Sequence, residues 1–256
     1  MNLKTYLARK KGQDKSDRFR EVCGRCFRPR KTCLCATIQP FDTETHFVIL
    51  MHPKEAKKIR MGTGRLTHLF LNNSEIRVGV DFSEDERVDT LISDSRHVSF
   101  VLYPGENSVD ISERDSLFYK ISDKKRLVFV IDASWPLAKK MLKESPNLGV
   151  LPQIHFRPKE SSRFFKKQPH DFCLCTIESV SLLLEEMQKK GIENCRGNNR
   201  RMLDTLDKMH RIQSSYKSDL SLSRYGSRDL SHPPKKWAPG KRQRRSVCFD
   251  DKNTGE

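Results

Sequence analysis

The sequence lacks long apolar runs. None of its 256 residues belong to a stretch approaching the ~20 apolar residues of a membrane-spanning helix, and residues 1–15 are too polar for the core of a signal peptide. We therefore expect a soluble, cytoplasmic protein with no membrane partner. In that reducing compartment, the eight cysteines are better candidates for metal ligands or buried side chains than for disulfides.

Familiar catalytic motifs are also missing. The sequence contains no internal repeat, no HExxH and no Ser/His/Asp pattern of substance. A glycine loop at residues 61–65 lacks the third glycine of a dinucleotide fingerprint and the Lys-Ser/Thr of a P-loop, so it is a weak nucleotide motif. Arg60 and Arg65 flank this loop and could hold a carboxylate or a phosphate.

The positive charge lies at the two ends of the chain. Residues 1–32 carry 11 Lys/Arg against 3 Asp/Glu, residues 196–256 carry 15 against 7, and the residues between carry 23 of each sign. This pattern is typical of a neutral folded body whose ends contact a polyanion, although basic ends that only keep the chain soluble are an alternative. We expect residues 1–20 to form a basic arm and residues 214–256 a basic disordered tail.

Hydrophobic patterning predicts an α/β domain. Runs at 46–53, 75–80, 96–105 and 126–135 are rich in Val, Ile, Leu and Phe, as in strands that are buried on both faces of a parallel sheet. Helices are predicted from Pro136 towards Pro146, over 176–191 with Thr176 as a cap, and near 199–213. We predict a mostly parallel sheet with helices on both faces over residues 41–213.

Four cysteines form the strongest local motif. Cys23-x2-Cys26-x6-Cys33-x-Cys35 is typical of a closed structural zinc site, which leaves no position for a catalytic water. We predict a zinc knuckle over residues 21–40, with a cluster of reduced cysteines as the alternative. Its Arg25, Arg28, Arg30 and Lys31 make it basic, as a nucleic-acid-facing module would be. The separate pair Cys173-x-Cys175 is predicted to be buried.

Three predicted strands end in residues that suit a ligand site. Met51-His52-Pro53, Tyr103-Pro104-Gly105 and Asp132-Ala133-Ser134-Trp135 would meet at the carboxyl edge of a parallel sheet, where ligands bind. Asp132 directly follows an apolar run, so we expect it to be partly desolvated. The alternative is that Asp132 caps the next helix. Trp135 is either a core residue or a stacking surface for a base.

Taken in order, these motifs resemble those of the DTW-domain family. The resemblance rests on the four-Cys motif, His52-Pro53-x-Glu55, Thr63-Gly64-Arg65-Leu66, Tyr103-Pro104-Gly105, Asp132-Ala133-Ser134-Trp135, and the run from Ser145 through Leu151-Pro152 and Gln168-Pro169 to Cys175-Thr176-Ile177-Glu178. Ser134 stands where the name-giving motif usually has Thr, so a hydroxyl is retained.

The resemblance implies a SPOUT-like, knotted core and a tRNA-uridine aminocarboxypropyltransferase. Such an enzyme transfers the 3-amino-3-carboxypropyl group of S-adenosylmethionine to N3 of a tRNA uridine and releases methylthioadenosine. It also implies tRNA as partner, and the four-Cys motif adds a structural Zn²⁺. Because nothing in the sequence shows an obvious dimer face, we expect no obligate protein partner and favour a monomer over a dimer. The alternatives are a SPOUT-type RNA methyltransferase and a non-catalytic, zinc-dependent RNA-binding factor.

The same resemblance assigns the site residues. Asp132 is the expected general base, in a catalytic set with Ser134 and Trp135. The expected cofactor-binding residues are Arg60, Thr63, Gly64, Arg65, Tyr103, Pro104, Gly105, Leu151, Pro152, Thr176 and Glu178. Within this set, Arg60 and Arg65 are expected to bind the carboxylate of the cofactor, and Glu178 its ammonium group. Cys23, Cys26, Cys33 and Cys35 are the expected metal ligands.

Overall fold

A computed structural model describes residues 21–57, 62–112, 124–158, 162 and 173–218. The chain divides into two units, Met1–Ile212 and Gln213–Glu256, and the sheet and the candidate site belong to the first. The predicted arm at 1–20, nearly all of the predicted tail at 214–256, Arg60 and the Gln168-Pro169 motif lie outside the described residues.

The strands form one parallel sheet. Within the described residues they are β1 (His46–Met51), β2 (Ser74–Val78), β3 (His97–Leu102), β4 (Val109–Asp110), β5 (Lys125–Asp132) and β6 (Gln153–His155), in the spatial order β2-β1-β5-β3-β6-β4. Every pairing is parallel. The predicted α/β class and parallel sheet are confirmed. β4 and β6 were not predicted from the sequence, because strands of two or three residues are too short to show a periodicity.

The helices surround this sheet. They are α1 (Pro53–Lys57), α2 (Thr63–Phe70), α3 (Glu86–Ser93), α4 (Trp135–Glu144), α5 (Pro146–Gly149), α6 (Thr176–Lys189) and α7 (Asn198–Ser218). The three predicted helices are present as α4, α6 and α7. Two details of the prediction are wrong. Thr176 is the first helical residue, and Cys175 is the N-cap; and Thr63, Gly64 and Arg65 form the first turn of α2 rather than a loop.

The two faces of the sheet carry different helices. On one face, side chains of β1 and β5 pack with α2, α6 and α7 in a core that includes Phe47, Leu66, Phe70, Val128, Val130, Ile177 and Met202. On the other face they pack with α3, α4 and α5, in a core that includes Val48, Val88, Leu127, Phe129, Met141 and Leu148. After β1 the chain continues to α2 on one face, and after β5 it continues to α4 on the other face. The carboxyl ends of these two neighbouring strands therefore form a topological switch point, where ligands bind in parallel sheets.

Candidate active site and metal centre

The four cysteines of the N-terminal motif converge on one point. Cys23 Sγ lies 3.7 Å from Cys35 Sγ, Cys26 Sγ lies 3.7 Å from Cys33 Sγ, and all four sulfurs lie within 4.8 Å of one another. Sulfurs around a tetrahedral ion with ~2.3 Å bonds are about 3.8 Å apart. Backbone N–H groups of Cys26 and Arg25 lower the pKa of the Cys23 thiol to about 6, whereas burial raises the pKa of the Cys33 and Cys35 thiols, so Cys23 ionises more readily than these two. The donor set and its spacing fit a metal ion, and the cluster could bind one.

Arg28 belongs to the interior of this segment. It is buried and its Nε donates a 3.1 Å hydrogen bond to the carbonyl oxygen of Thr32. Burial lowers the pKa of Arg28, while nearby Cys26 and Cys33 raise it. Arg28 is therefore not part of the basic surface predicted for the knuckle, and the cations that remain exposed there are Arg25, Arg30 and Lys31.

Asp132 is buried at the carboxyl edge of the sheet, where β5 ends. Its Oδ1 accepts a 2.5 Å hydrogen bond from the Thr176 hydroxyl, and its backbone carbonyl accepts one from His52 N–H at 3.0 Å. Its Oδ2 lies against Gly64 and is buried without a hydrogen-bond partner in the described part of the chain. Because α2 begins at Thr63 and α6 at Thr176, the carboxylate lies at the N-terminal turns of two helices, which favour negative charge.

Gly64 allows this close approach. A Cβ atom at that position would lie 2.5 Å from Asp132 Oδ2, which is well inside a normal non-bonded contact. Glycine lowers the stability of a helix interior, but here only glycine lets the first turn of α2 pack against the carboxylate.

The pKa of Asp132 is raised to about 6, because burial outweighs the hydrogen bond from Thr176, the nearby Gly64 amide and the charge of Arg65. The negative charge of Glu55 also raises this pKa. A carboxylate with such a pKa is ionised at neutral pH and can accept and release a proton readily. The environment of Asp132 therefore has the property that a general base requires.

Arg65 lies beside Asp132 in the first turn of α2 and is only 4% exposed. Its Nε and Nη1 are buried and have no hydrogen-bond partner among the described residues. Burial lowers the pKa of Arg65 to about 10, with Asp132 and Cys26 opposing the shift, so the guanidinium is charged at neutral pH. A buried guanidinium with unpaired N–H groups is suited to binding an oxyanion such as a carboxylate.

A second group of the predicted residues lies on the other side of the same edge. Tyr103 and Trp135 have ring centroids 6.0 Å apart with their planes inclined at 47°, and both are partly exposed. Tyr103, Ala133 and Leu151 pack against the core of the face that carries α4. Together these side chains provide an apolar surface with aromatic rings, which is suited to stacking a nucleobase.

The other predicted residues are peripheral or bonded within the protein. Pro104 and Gly105 lie in the turn after β3, where the Ser108 hydroxyl donates to the Gly105 carbonyl at 2.6 Å, and Pro152 is exposed. Ser134 is exposed and is the N-cap of α4, without a side-chain capping bond. The alternative interpretation of Asp132 as that cap is therefore wrong.

Glu178 is buried in the first turn of α6. Its Oε2 accepts hydrogen bonds from the Cys175 N–H at 2.9 Å and the Ser162 hydroxyl at 2.6 Å, which hold the start of the helix. Its expected contact with an ammonium group stays a prediction. Cys173 and Cys175 are both buried, as predicted.

Two residues of the site were not predicted. Glu55 lies in α1 and acts on the pKa of Asp132, and the motif His52-Pro53-x-Glu55 was the signal that could have identified it. Phe27, between the second and third cysteines, places its ring centroid 4.7 Å from Arg65 Cζ. No sequence signal indicates Phe27, because this contact depends on how the cysteine segment packs against β1.

The DTW domain matches residues 20–214 of the chain. The chain belongs to the DTW-domain family. Among curated relatives, the chain is 28% identical to mouse tRNA-uridine aminocarboxypropyltransferase 2 over 180 residues, which are 67% of this chain and 58% of the mouse protein. It is 29% identical to the Drosophila melanogaster protein of the same name over 178 residues, 67% of this chain and 68% of that protein.

The resemblance that the motifs indicated is thus confirmed for the family. The chain spans little more than half the length of the mouse protein, 58%. No solved structure matches it. None of the helices in the described ranges is both long and apolar enough to cross a membrane.

Proposed function

We propose that the protein is a tRNA-uridine aminocarboxypropyltransferase that uses S-adenosylmethionine. The observation that carries this proposal is the buried pair at the carboxyl edge, where Asp132 Oδ2 and two N–H groups of Arg65 have no hydrogen-bond partner among the described residues. A base and an oxyanion-binding cation side by side suit the attack of a uridine imide on an amino-acid-bearing cosubstrate. The names of the curated relatives support the same reaction.

In this reaction Asp132 removes one proton. S-adenosylmethionine supplies a side-chain methylene that is activated by the adjoining sulfonium, a good leaving group. The uridine N3–H donates its proton to the Asp132 carboxylate while N3 forms a bond to that methylene. The methylene–sulfur bond breaks, its electron pair stays on sulfur, and methylthioadenosine leaves. Asp132 then releases the proton to solvent, for which a pKa of about 6 is well placed.

The two sides of the edge hold different parts of the reactants. Arg65, with Arg60 outside the described residues, binds the carboxylate of the cosubstrate, as a guanidinium fork does in pairs with carboxylates. Tyr103, Trp135 and Leu151 provide the apolar surface for a base ring. This division matches a cosubstrate that is zwitterionic at one end and aromatic at the other.

We propose zinc as the metal of the four-cysteine cluster. Four thiolates are the preferred donor set of structural zinc, and the closed set leaves no open coordination position. The metal therefore stabilises the segment without taking part in the transfer. The exposed Arg25, Arg30 and Lys31 beside it favour a contact with tRNA phosphates.

We also propose a SPOUT-like knotted core. In the sheet, β5 lies between β1 and β3, and β6 lies between β3 and β4. Strands that come late in the chain thus insert between earlier ones, an arrangement that suits a threaded C-terminal segment. A crystal structure with a continuous backbone trace would decide whether the chain is knotted.

The decisive experiment uses differently labelled cosubstrates. The full-length protein is incubated with tRNA and S-adenosylmethionine labelled either in the methyl or in the aminocarboxypropyl group, and the digested tRNA is examined by mass spectrometry. We expect the aminocarboxypropyl label on uridine and the methyl label in methylthioadenosine. Methyl label on RNA would instead indicate a methyltransferase, and tRNA binding without transfer of either label would indicate a non-catalytic factor.

A further inference from the structure

Phe27 has an unfavourable backbone conformation in the four-cysteine segment. Its φ is 56°, in the left-handed region where glycine is preferred because a Cβ atom crowds the backbone. Its N–H donates to the Cys23 carbonyl at 2.8 Å, and the Cys23 N–H donates to the Arg28 carbonyl at 2.8 Å. Glycine would fit this tight turn better, so the turn itself does not require the aromatic side chain.

The ring of Phe27 connects the cysteine segment to the candidate site. It packs beside the apolar cluster of β1 that contains Ile49 and Met51, the strand that ends next to Asp132. The same ring lies 4.7 Å from the guanidinium carbon of Arg65, a distance typical of a cation–π contact. The metal-binding turn and the oxyanion-binding side chain are thus joined through one residue.

The contact with Phe27 is important because other restraints on the Arg65 guanidinium are few. Its Nε and Nη1 have no hydrogen-bond partner in the described ranges, although both atoms are buried. Unpaired N–H groups let the side chain bind a ligand, but they do not orient it beforehand. The stacked ring supplies orientation without using any of the N–H groups.

We propose that Phe27 is a positioning residue through which the metal-bound turn orients Arg65 towards the carboxylate of the cosubstrate. This inference rests on the proposed function for the identity of the ligand. A compact carboxylate is favoured over an RNA phosphate because Arg65 is 96% buried, at 4% exposure, beside a second buried charged group. The four-cysteine centre thereby contributes to cosubstrate affinity, although its closed ligand set excludes direct catalysis.

The test compares two ligands that differ in the amino-acid group. Binding of S-adenosylmethionine and of methylthioadenosine, which has no carboxylate, is measured by calorimetry for the full-length protein, Phe27→Gly and Phe27→Tyr. We expect Phe27→Gly to weaken S-adenosylmethionine binding about tenfold and to leave methylthioadenosine and tRNA binding unchanged. Phe27→Tyr, which keeps the ring, should bind like the parent protein. Zinc content should stay at that of the parent, because glycine suits the positive φ.

A second measurement follows Arg65 itself, without cosubstrate. In NMR spectra of ¹⁵N-arginine-labelled protein, assigned by means of Arg65→Lys, the Arg65 Nε–H should be observable in the parent protein and in Phe27→Tyr. It should be lost by exchange in Phe27→Gly and after removal of the metal. An unchanged signal in Phe27→Gly, or equal weakening of both ligands, would overturn the inference. If the signal behaves as expected but the parent protein binds no S-adenosylmethionine, the proposed function fails while the positioning role stands.

Discussion

The two sides of the sheet's carboxyl edge differ in the kind of group that they offer a ligand. On the side of α2 and α6, charged groups are buried and incompletely hydrogen-bonded, as Asp132 and Arg65 illustrate. On the side of α4, partly exposed apolar groups lie together, with Tyr103 and Trp135 as their aromatic members. The first side can therefore bind a ligand through its charges, and the second through apolar and aromatic contacts.

The alternation of one strand produces this difference. Val128, Val130 and Asp132 of β5 share one face of the sheet, whereas Ile131 and Ala133 belong to the opposite face. The end of β5 thus places Asp132, the proposed general base, on the side of α2 and α6, and it directs the chain to Trp135 on the side of α4. We therefore expect loss of the Asp132 carboxylate to reduce turnover, whereas changes around Arg65 should weaken binding of the amino-acid end of the cosubstrate and changes on the α4 side should weaken binding of a nucleobase.

The largest effect is expected from Asp132→Asn. The amide keeps the size of the side chain but cannot accept the N3 proton, so transfer to tRNA should fall by a factor of about 10² to 10⁴. The measurement is single-turnover transfer of the aminocarboxypropyl label. Asp204→Asn, the same change on an exposed side chain of α7, is the matched control and should transfer normally. Normal transfer by Asp132→Asn would exclude Asp132 as the base.

The same variant should be more stable than its parent. The pKa of Asp132 is about 6 in the folded protein, against an ordinary value of 3.8, so the folded state holds the proton more tightly. The free energy of unfolding of the parent is therefore reduced as the pH rises from about 4 to about 6. At pH 8, Asp132→Asn should unfold with a free energy higher by about 1–3 kcal/mol, and the difference should shrink towards pH 4. A less stable variant at pH 8 would show that the ionised carboxylate stabilises the fold.

The sequence allowed the parallel sheet and Asp132 to be predicted for the same physical reason. A strand buried on both faces is a continuous apolar run, and a carboxylate at its end is conspicuous because burial costs so much free energy. The contacts around Asp132 were harder to predict. Thr176 was interpreted as a cap from local preference, but its hydroxyl donates to Asp132, 44 residues earlier in the chain. Phe27 and Arg28 show the same limit, since nothing local indicates which side of the cysteine segment faces inwards.

A smaller effect is expected on the aromatic side. Trp135→Ala removes a ring of the proposed stacking surface, so the KM for the reactant whose base stacks there should rise about tenfold, as expected for loss of one stacked base. The single-turnover rate at saturation should change little. Trp135→Phe keeps a ring and should restore most of the affinity. A fall in the saturated rate that matches that of Asp132→Asn would remove the distinction between the two sides.

The smallest effect is expected from Arg25→Gln, on the exposed surface of the cysteine segment. If Arg25 contacts one tRNA phosphate, its loss should make the slope of log affinity against log salt shallower by about 0.7–0.9 and weaken binding about fivefold at 0.15 M salt. Filter-binding titrations at several salt concentrations measure both quantities. Lys125→Gln removes the same charge at the amino end of β5, on the opposite edge of the sheet, and should leave the slope unchanged. Equal slopes for Arg25→Gln and the parent protein would mean that tRNA does not contact the cysteine segment at Arg25. The tRNA would then have to reach Asp132 and the aromatic surface across another part of the protein.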